Sequence, residues 1–100
     1  LHGAVTLSEQ MERAGHYYSV FWKVTDRSEP VTLRFEYRQQ KTGLVTKVKE
    51  QQVTDVGRSN LSKFSVTGAE YQADGAVTSW RVSVVRGKDV LVASESYLWK

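Results

Sequence analysis

The side chains with the clearest potential for ligand chemistry are four basic residues near the middle of the chain: Arg34, Arg38, Lys47 and Lys49. A turn signal, Lys41-Thr42-Gly43, lies between the two pairs and predicts a hairpin. Because cross-strand neighbours stand side by side, we expect a small basic ladder in which Glu36 pairs with a lysine. The ladder has two interpretations. A solvated, charge-laced face is favoured, and a site for an anionic ligand or acidic partner is the alternative.

Catalytic and metal chemistry has weaker support. The two histidines, His2 and His16, have no further ligand at a metal-binding spacing, and we expect both at the surface. Most carboxylates fall in predicted turns or on wet strand faces, and no G-x-S-x-G elbow or glycine-rich phosphate loop occurs. We therefore expect no enzyme activity, no metal site and no cofactor.

Composition indicates one folded domain over residues 1–100. The chain has 40% hydrophobic and 25% charged residues, which is the balance of a packed globule. It has no cysteine, so a disulfide framework is excluded. The net charge of +3 is spread along the chain, whereas nucleic-acid-binding proteins typically have a dense basic stripe. We therefore do not expect a nucleic-acid partner.

Hydrophobic period two is the strongest structural signal. Val20, Trp22 and Val24 share one face of a strand predicted over residues 17–24. Leu33, Phe35 and Tyr37 share one face of the next, over residues 31–39, with Arg34, Glu36 and Arg38 on its wet side. The strand over residues 31–39 has a well-specified register, and Trp22 should lie in the middle of the core.

Further strands are predicted over residues 3–7, 45–53, 61–67, 76–86 and 90–99, about seven in all, and this even spacing favours a sandwich or a small barrel. The charged segment 45–53 is interpreted as an edge strand. Phe64 and Val66 should point inward, and Trp80, Val82 and Val84 should share a core face. Like Trp22, Trp80 is expected in the middle of the sandwich.

Four local expectations complete the description. Residues 9–14 could form a helical turn, and residues 68–75 a turn. The last two strands should form a hairpin through Gly87-Lys88-Asp89. A bulge near Ser94 to Ser96, or a buried partner, should accommodate Glu95. The core cannot hold every aromatic residue, so some must be exposed among Tyr17, Tyr18, Phe21 and Trp99.

These segments resemble a fibronectin type III or related immunoglobulin-like domain. Tyr18-Ser19-Val20-Phe21-Trp22 is similar to the family's second strand with its core tryptophan, and Leu33-Arg34-Phe35-Glu36-Tyr37-Arg38 to its third. Trp80-Arg81-Val82-Ser83-Val84 resembles the sixth strand, with tryptophan at the place of the family's corner tyrosine. The resemblance implies a two-layer antiparallel β-sandwich of about seven strands with Greek-key connections.

The sequence therefore predicts a non-enzymatic binding, interaction or spacer module that works through a sheet face or strand edge. Its expected partner is another protein or a neighbouring domain, and no segment reaches the roughly 20 apolar residues that span a bilayer. The chain begins at Leu1, which we interpret as a processed fragment of an exported bacterial protein. It would then work in the periplasm, at the cell surface or after secretion. A small anionic-ligand or nucleic-acid binder, using the basic ladder, is the alternative function.

Overall fold

A computed structural model describes residues 3–100 of the chain. The described residues form seven strands and one short helix. In chain order they are β1 (Gly3–Glu12), β2 (Gly15–Val24), β3 (Val31–Gln39), β4 (Lys47–Val53), β5 (Asn60–Thr67), α1 (Gly68–Asp74), β6 (Val77–Arg86) and β7 (Asp89–Glu95). The predicted all-β class is confirmed.

The strands form two antiparallel sheets. One has the order β1-β2-β5, and the other has the order β4-β3-β6-β7. β4 lies at an edge of the four-stranded sheet, as its charged sequence predicted. The inward faces of both sheets contribute to one hydrophobic core, so the arrangement is sandwich-like.

The core follows the alternation of the strands. In β2 the even-numbered residues from Tyr18 to Val24 are buried, and in β3 the odd-numbered residues from Val31 to Gln39 are buried. Phe64 and Val66 of β5 are also inside, as predicted. The central contacts are aromatic: the Phe35 ring lies 4.7 Å from Tyr18, and 5.3 Å from Phe64, between ring centroids. Such packed rings stabilise the core beyond the area that they bury.

The two tryptophans predicted to fill the core differ in burial. Trp22 is 2% exposed, and its indole N–H donates to the buried Ser62 hydroxyl at 3.0 Å. Trp80 shares its face with Val82 and Val84, which are fully buried, but is itself only partly buried and packs against the core from its margin. The prediction of a central Trp80 is therefore wrong, because β6 carries its valines, and not its indole, into the middle of the sheet.

The first strand is longer than predicted. It pairs with β2 along its full length, from Gly3 opposite Val24 to Glu12 opposite Gly15. The helical turn predicted over residues 9–14 is wrong, because these residues complete β1 and the tight turn into β2. Cross-strand pairing supplies the backbone hydrogen bonds that a six-residue helix could not secure alone.

The last hairpin forms as predicted through Gly87, whose φ is 60°. The irregularity lies earlier than expected: Val84 pairs with Val92 and Val85 with Val90, which leaves Leu91 unpaired as a bulge. The bulge resets the alternation, so both Leu91 and Val92 pack against the core. β7 then ends at Glu95, which is exposed, so the predicted strand over residues 90–99 is too long.

The helix α1 was predicted only as a turn. It contains seven residues, too few for a helix that is stable by itself. The buried Gln39 side chain holds the helix against β3 by donating to the carbonyl oxygens of Glu70, in its first turn, and Gly75, just after its last residue, at 3.4 and 2.9 Å. Within residues 3–100, no helix is long and apolar enough to cross a membrane.

Replacing the two tryptophans separately should measure the difference in their burial. We expect Trp22→Phe to lower the free energy of unfolding by about 2 to 3 kcal/mol, because it opens a cavity and leaves the Ser62 hydroxyl unpaired. Trp80→Phe should cost about 1 kcal/mol or less. Urea unfolding of both variants checks this, and equal losses would contradict the central role of Trp22.

Candidate functional site

The predicted β3–β4 hairpin forms, but it does not bring the four basic residues onto one face. Lys49 lies opposite Phe35 and Lys47 opposite Tyr37, so both lysines share the inward side of β3. Arg34 and Arg38 occupy the alternate, outward positions of that strand. The predicted basic ladder is therefore wrong: the register pairs each lysine with an inward aromatic residue of β3.

Both lysines contact α1 and form an ion cluster with Tyr37, Glu70 and Asp74. Lys47 Nζ lies 2.5 Å from Asp74 Oδ2, and Lys49 Nζ lies 3.0 Å from Glu70 Oε1. The Tyr37 hydroxyl donates to the other oxygen of Glu70. Lys49 also donates to the backbone oxygen of Ser65 on β5, at 2.7 Å. The ion cluster thus ties β4 to the opposite sheet and to the helix.

The charges in the ion cluster shift the ionisation of its members. Burial alone would raise the pKa of Glu70, but the hydrogen bonds from Tyr37 and Lys49 and the two lysine charges outweigh it and hold the pKa below 4.5. The hydrogen bond to Asp74 leads the causes that raise the pKa of Lys47. Burial, and then the bond to Glu70, raises the pKa of the Tyr37 hydroxyl. All three shifts favour the protonation states that hold the cluster together at neutral pH.

The two arginines lie on the outer face of the four-stranded sheet, where each has a partner. Arg34 Nε donates to Glu50 Oε2 at 2.7 Å. The Arg38 guanidinium lies 4.1 Å from the centre of the Trp99 ring and donates to the backbone oxygen of Lys100. Both arginine side chains are therefore engaged by neighbouring residues of this face.

Glu36 does not pair with a lysine, contrary to expectation. Its neighbour on β4 is Val48, and its neighbour on β6 is Arg81. The lysines on either side of Val48 project to the inward side of the sheet.

His16 is buried, so its predicted surface position is wrong. Gly15 already belongs to β2, which gives His16 the same parity as the buried Tyr18. Its Nδ1 lies 2.8 Å from Glu9 Oε2, which also accepts from the Tyr18 hydroxyl at 2.7 Å. Its Nε2 accepts from the backbone N–H of Val77 at 3.3 Å. Both ring nitrogens are engaged, so this imidazole joins β1, β2 and β6.

The other histidine, His2, lies outside the described residues. Among residues 3–100, no group of three or more His, Cys, Asp or Glu side chains is placed to hold a metal ion. The even parity that runs from Tyr18 to Val24 was the sequence signal that could have placed His16 inside.

The outer face of the three-stranded sheet carries a different kind of surface. Phe21 pairs with Thr6 on one side and with Leu61 on the other. Phe21 is 50% exposed and Leu61 is 52% exposed. A cavity of about 250 Å³ lies beside Phe21 and is lined mainly by β1 and β2 residues that include Ala4, Thr6 and Lys23. We call this surface the Phe21 face.

Sequence reasoning found part of the Phe21 face. It predicted that some of the aromatic residues in and near β2 must be exposed, and Tyr17 and Phe21 are, while Tyr18 is buried and Trp99 half-buried. It did not predict that Phe21 and Leu61 stand side by side, because only the pairing of β2 with β5 joins them.

The ion cluster should make stability depend on acid pH through Glu70. The pKa of Glu70 is lower in the folded state than its ordinary value of 4.5. The ionised carboxylate therefore stabilises the fold above about pH 4.5, and this stabilisation is lost as the pH falls through the pKa of the folded state. We expect Glu70→Gln to lower the free energy of unfolding by about 1 to 2 kcal/mol at pH 7, and the difference from the wild type to shrink below pH 4.5. Glu50→Gln, at the exposed Arg34 pair, is the control and should cost at most about 1 kcal/mol. Urea unfolding across the pH range measures both, and a pH-independent difference for Glu70→Gln would exclude this role.

Comparison with known proteins gives no further assignment. No protein-family model, no curated protein and no solved structure matches the chain. Its function must therefore be argued from its own surfaces.

Proposed function

We propose that this chain is a non-enzymatic interaction module with an immunoglobulin-like or fibronectin type III-like Greek-key fold. We further propose that it contacts another protein or a neighbouring domain through the Phe21 face. The observation that carries this proposal is the exposure of Phe21 and Leu61 side by side on adjacent strands. Apolar side chains that cluster on a surface are typical of sites that a partner covers.

The strand order supports the fold part of the proposal. β3 and β4 follow β2 along the chain but belong to the opposite sheet, and β5 then returns to pair with β2. β6 crosses again to pair with β3. Such alternation of consecutive strand pairs between two sheets is typical of Greek-key sandwiches.

The distribution of charge favours an interaction module over the alternative function. Of the four residues predicted to bind an anion, the two lysines lie on the inward side of the four-stranded sheet and the two arginines lie on its outer face. Lys47, Lys49 and Arg34 are engaged in ion pairs, and Arg38 stacks on Trp99. An anionic ligand or nucleic acid at these positions would have to compete with existing contacts.

We also propose that the chain belongs to an exported bacterial protein. Fractionation of the source cells tests this localisation.

A capture experiment with matched variants tests the use of the Phe21 face. The immobilised wild-type chain should retain a specific protein from an extract of the source organism, and Phe21→Ser should lose it because the apolar contact is removed. Val48→Ser is the control, since Val48 is 51% exposed on the outer face of the other sheet. Mass spectrometry of the retained proteins gives the result. If the wild type and Phe21→Ser retain the protein equally, or if the immobilised wild type retains no protein, this use of the surface is refuted.

A further inference from the structure

Cations surround the Phe21 face. Lys23 follows Phe21 by two residues on β2, and Lys63 follows Leu61 by two residues on β5, so both project outward with them. Arg27 and Arg58 lie in the loops beyond β2 and before β5. All four side chains are exposed, and within the described part of the chain none of them forms an ion pair.

Carboxylates are scarce on the strands of the same surface. By strand alternation, Glu12 is the one acidic residue at an outward position of β1, β2 or β5 within residues 3–100. It lies six residues along β1 from Thr6, a separation of roughly 20 Å. The loops that follow β2 and precede β5 also hold Asp26, Glu29 and Asp55, but none of these carboxylates lines the cavity at Phe21 or the hollow beside it.

The shape of the surface connects its apolar and basic parts. Beside the 250 Å³ cavity at Phe21 lies a second hollow of about 490 Å³, lined by residues that include Lys23, Arg27 and Arg58. Ala4 and Lys23 line both hollows. The two hollows therefore lie next to each other along β2, one at the Phe21 ring and the other beside Lys23, Arg27 and Arg58, and we call the pair the groove.

We propose that this groove binds an acidic segment of a partner protein, with an apolar side chain on Phe21 and carboxylates beside Lys23, Arg27 and Arg58. This inference rests on the proposed function and names the chemistry of its partner. Burial of an apolar anchor would supply affinity. Complementary charge would speed association and disfavour basic partners, whose cations would face unpaired lysines and arginines.

The test uses two synthetic peptides of about ten residues, a length that spans roughly 30 Å when extended. In one peptide a phenylalanine is followed by several glutamates, and in the other every glutamate is replaced by glutamine. Isothermal titration calorimetry with the full chain measures both affinities at about 0.1 M and about 1 M salt, where the screening length falls from about 10 Å to about 3 Å. The acidic peptide should bind about tenfold more tightly at low salt, and most of this advantage should disappear at high salt.

Variants assign the binding to the groove. Phe21→Ser and Lys23→Glu should each weaken binding of the acidic peptide by about tenfold. Val48→Ser and Lys88→Glu are the matched controls on other exposed surfaces and should bind as the wild type does. Thermal unfolding of all four variants should show that the fold is retained, since each changed side chain is exposed.

Three results would overturn the inference. Equal affinity for the glutamine peptide would show that the groove does not select acidic partners, while the Phe21 face could still serve the proposed function. Binding of neither peptide would also refute the inference, and the capture experiment with Phe21→Ser then decides the proposed function separately. Equal displacement of the acidic peptide by a single-stranded oligonucleotide, with no loss of oligonucleotide binding in Phe21→Ser, would indicate a phosphate-binding surface instead.

Discussion

The other features of this fold depend on one buried core, which holds Trp22 and the packed rings of Tyr18, Phe35, Tyr37 and Phe64. One inward stripe on β2 and one on β3 supply most of this core, and Phe35 contacts rings from both sheets. Because the chain has no cysteine, no disulfide replaces this packing. Once the inward faces are fixed, strict alternation places every other side chain of these strands outside, where the surface chemistry lies.

The gap between the edge strands β4 and β5 shows how the domain uses its charge. No sheet joins these strands, yet Lys49 and Gln51 of β4 donate to backbone oxygens of Ser65 and Lys63 on β5. The carboxylates of α1 then neutralise the lysines of β4. The two lysines of the predicted ladder therefore hold the helix in place, and Lys49 also provides a hydrogen-bond donor for a backbone oxygen of the β5 edge.

The two outer faces of the domain differ in a way that bears on binding. On the four-stranded sheet, Arg34 pairs with Glu50, and Arg38 is covered by Trp99. On the three-stranded sheet, Phe21 and Leu61 are exposed and the nearby cations have no carboxylate partner within the described residues. A partner gains more where apolar area and unpaired charge are both available, because no existing contact has to be broken.

The sequence by itself determined the strand class, the inward stripes of β2, β3 and β5, the edge character of β4 and the turn at Gly87, because alternation and turn chemistry are local properties. The tertiary structure decided the remaining features. It placed the four basic residues on two sides of a sheet, buried His16 against Glu9, moved the bulge to Leu91 and brought Phe21 beside Leu61. Each of these depends on which strands pair and in what register, and that is set by contacts between residues far apart in the chain.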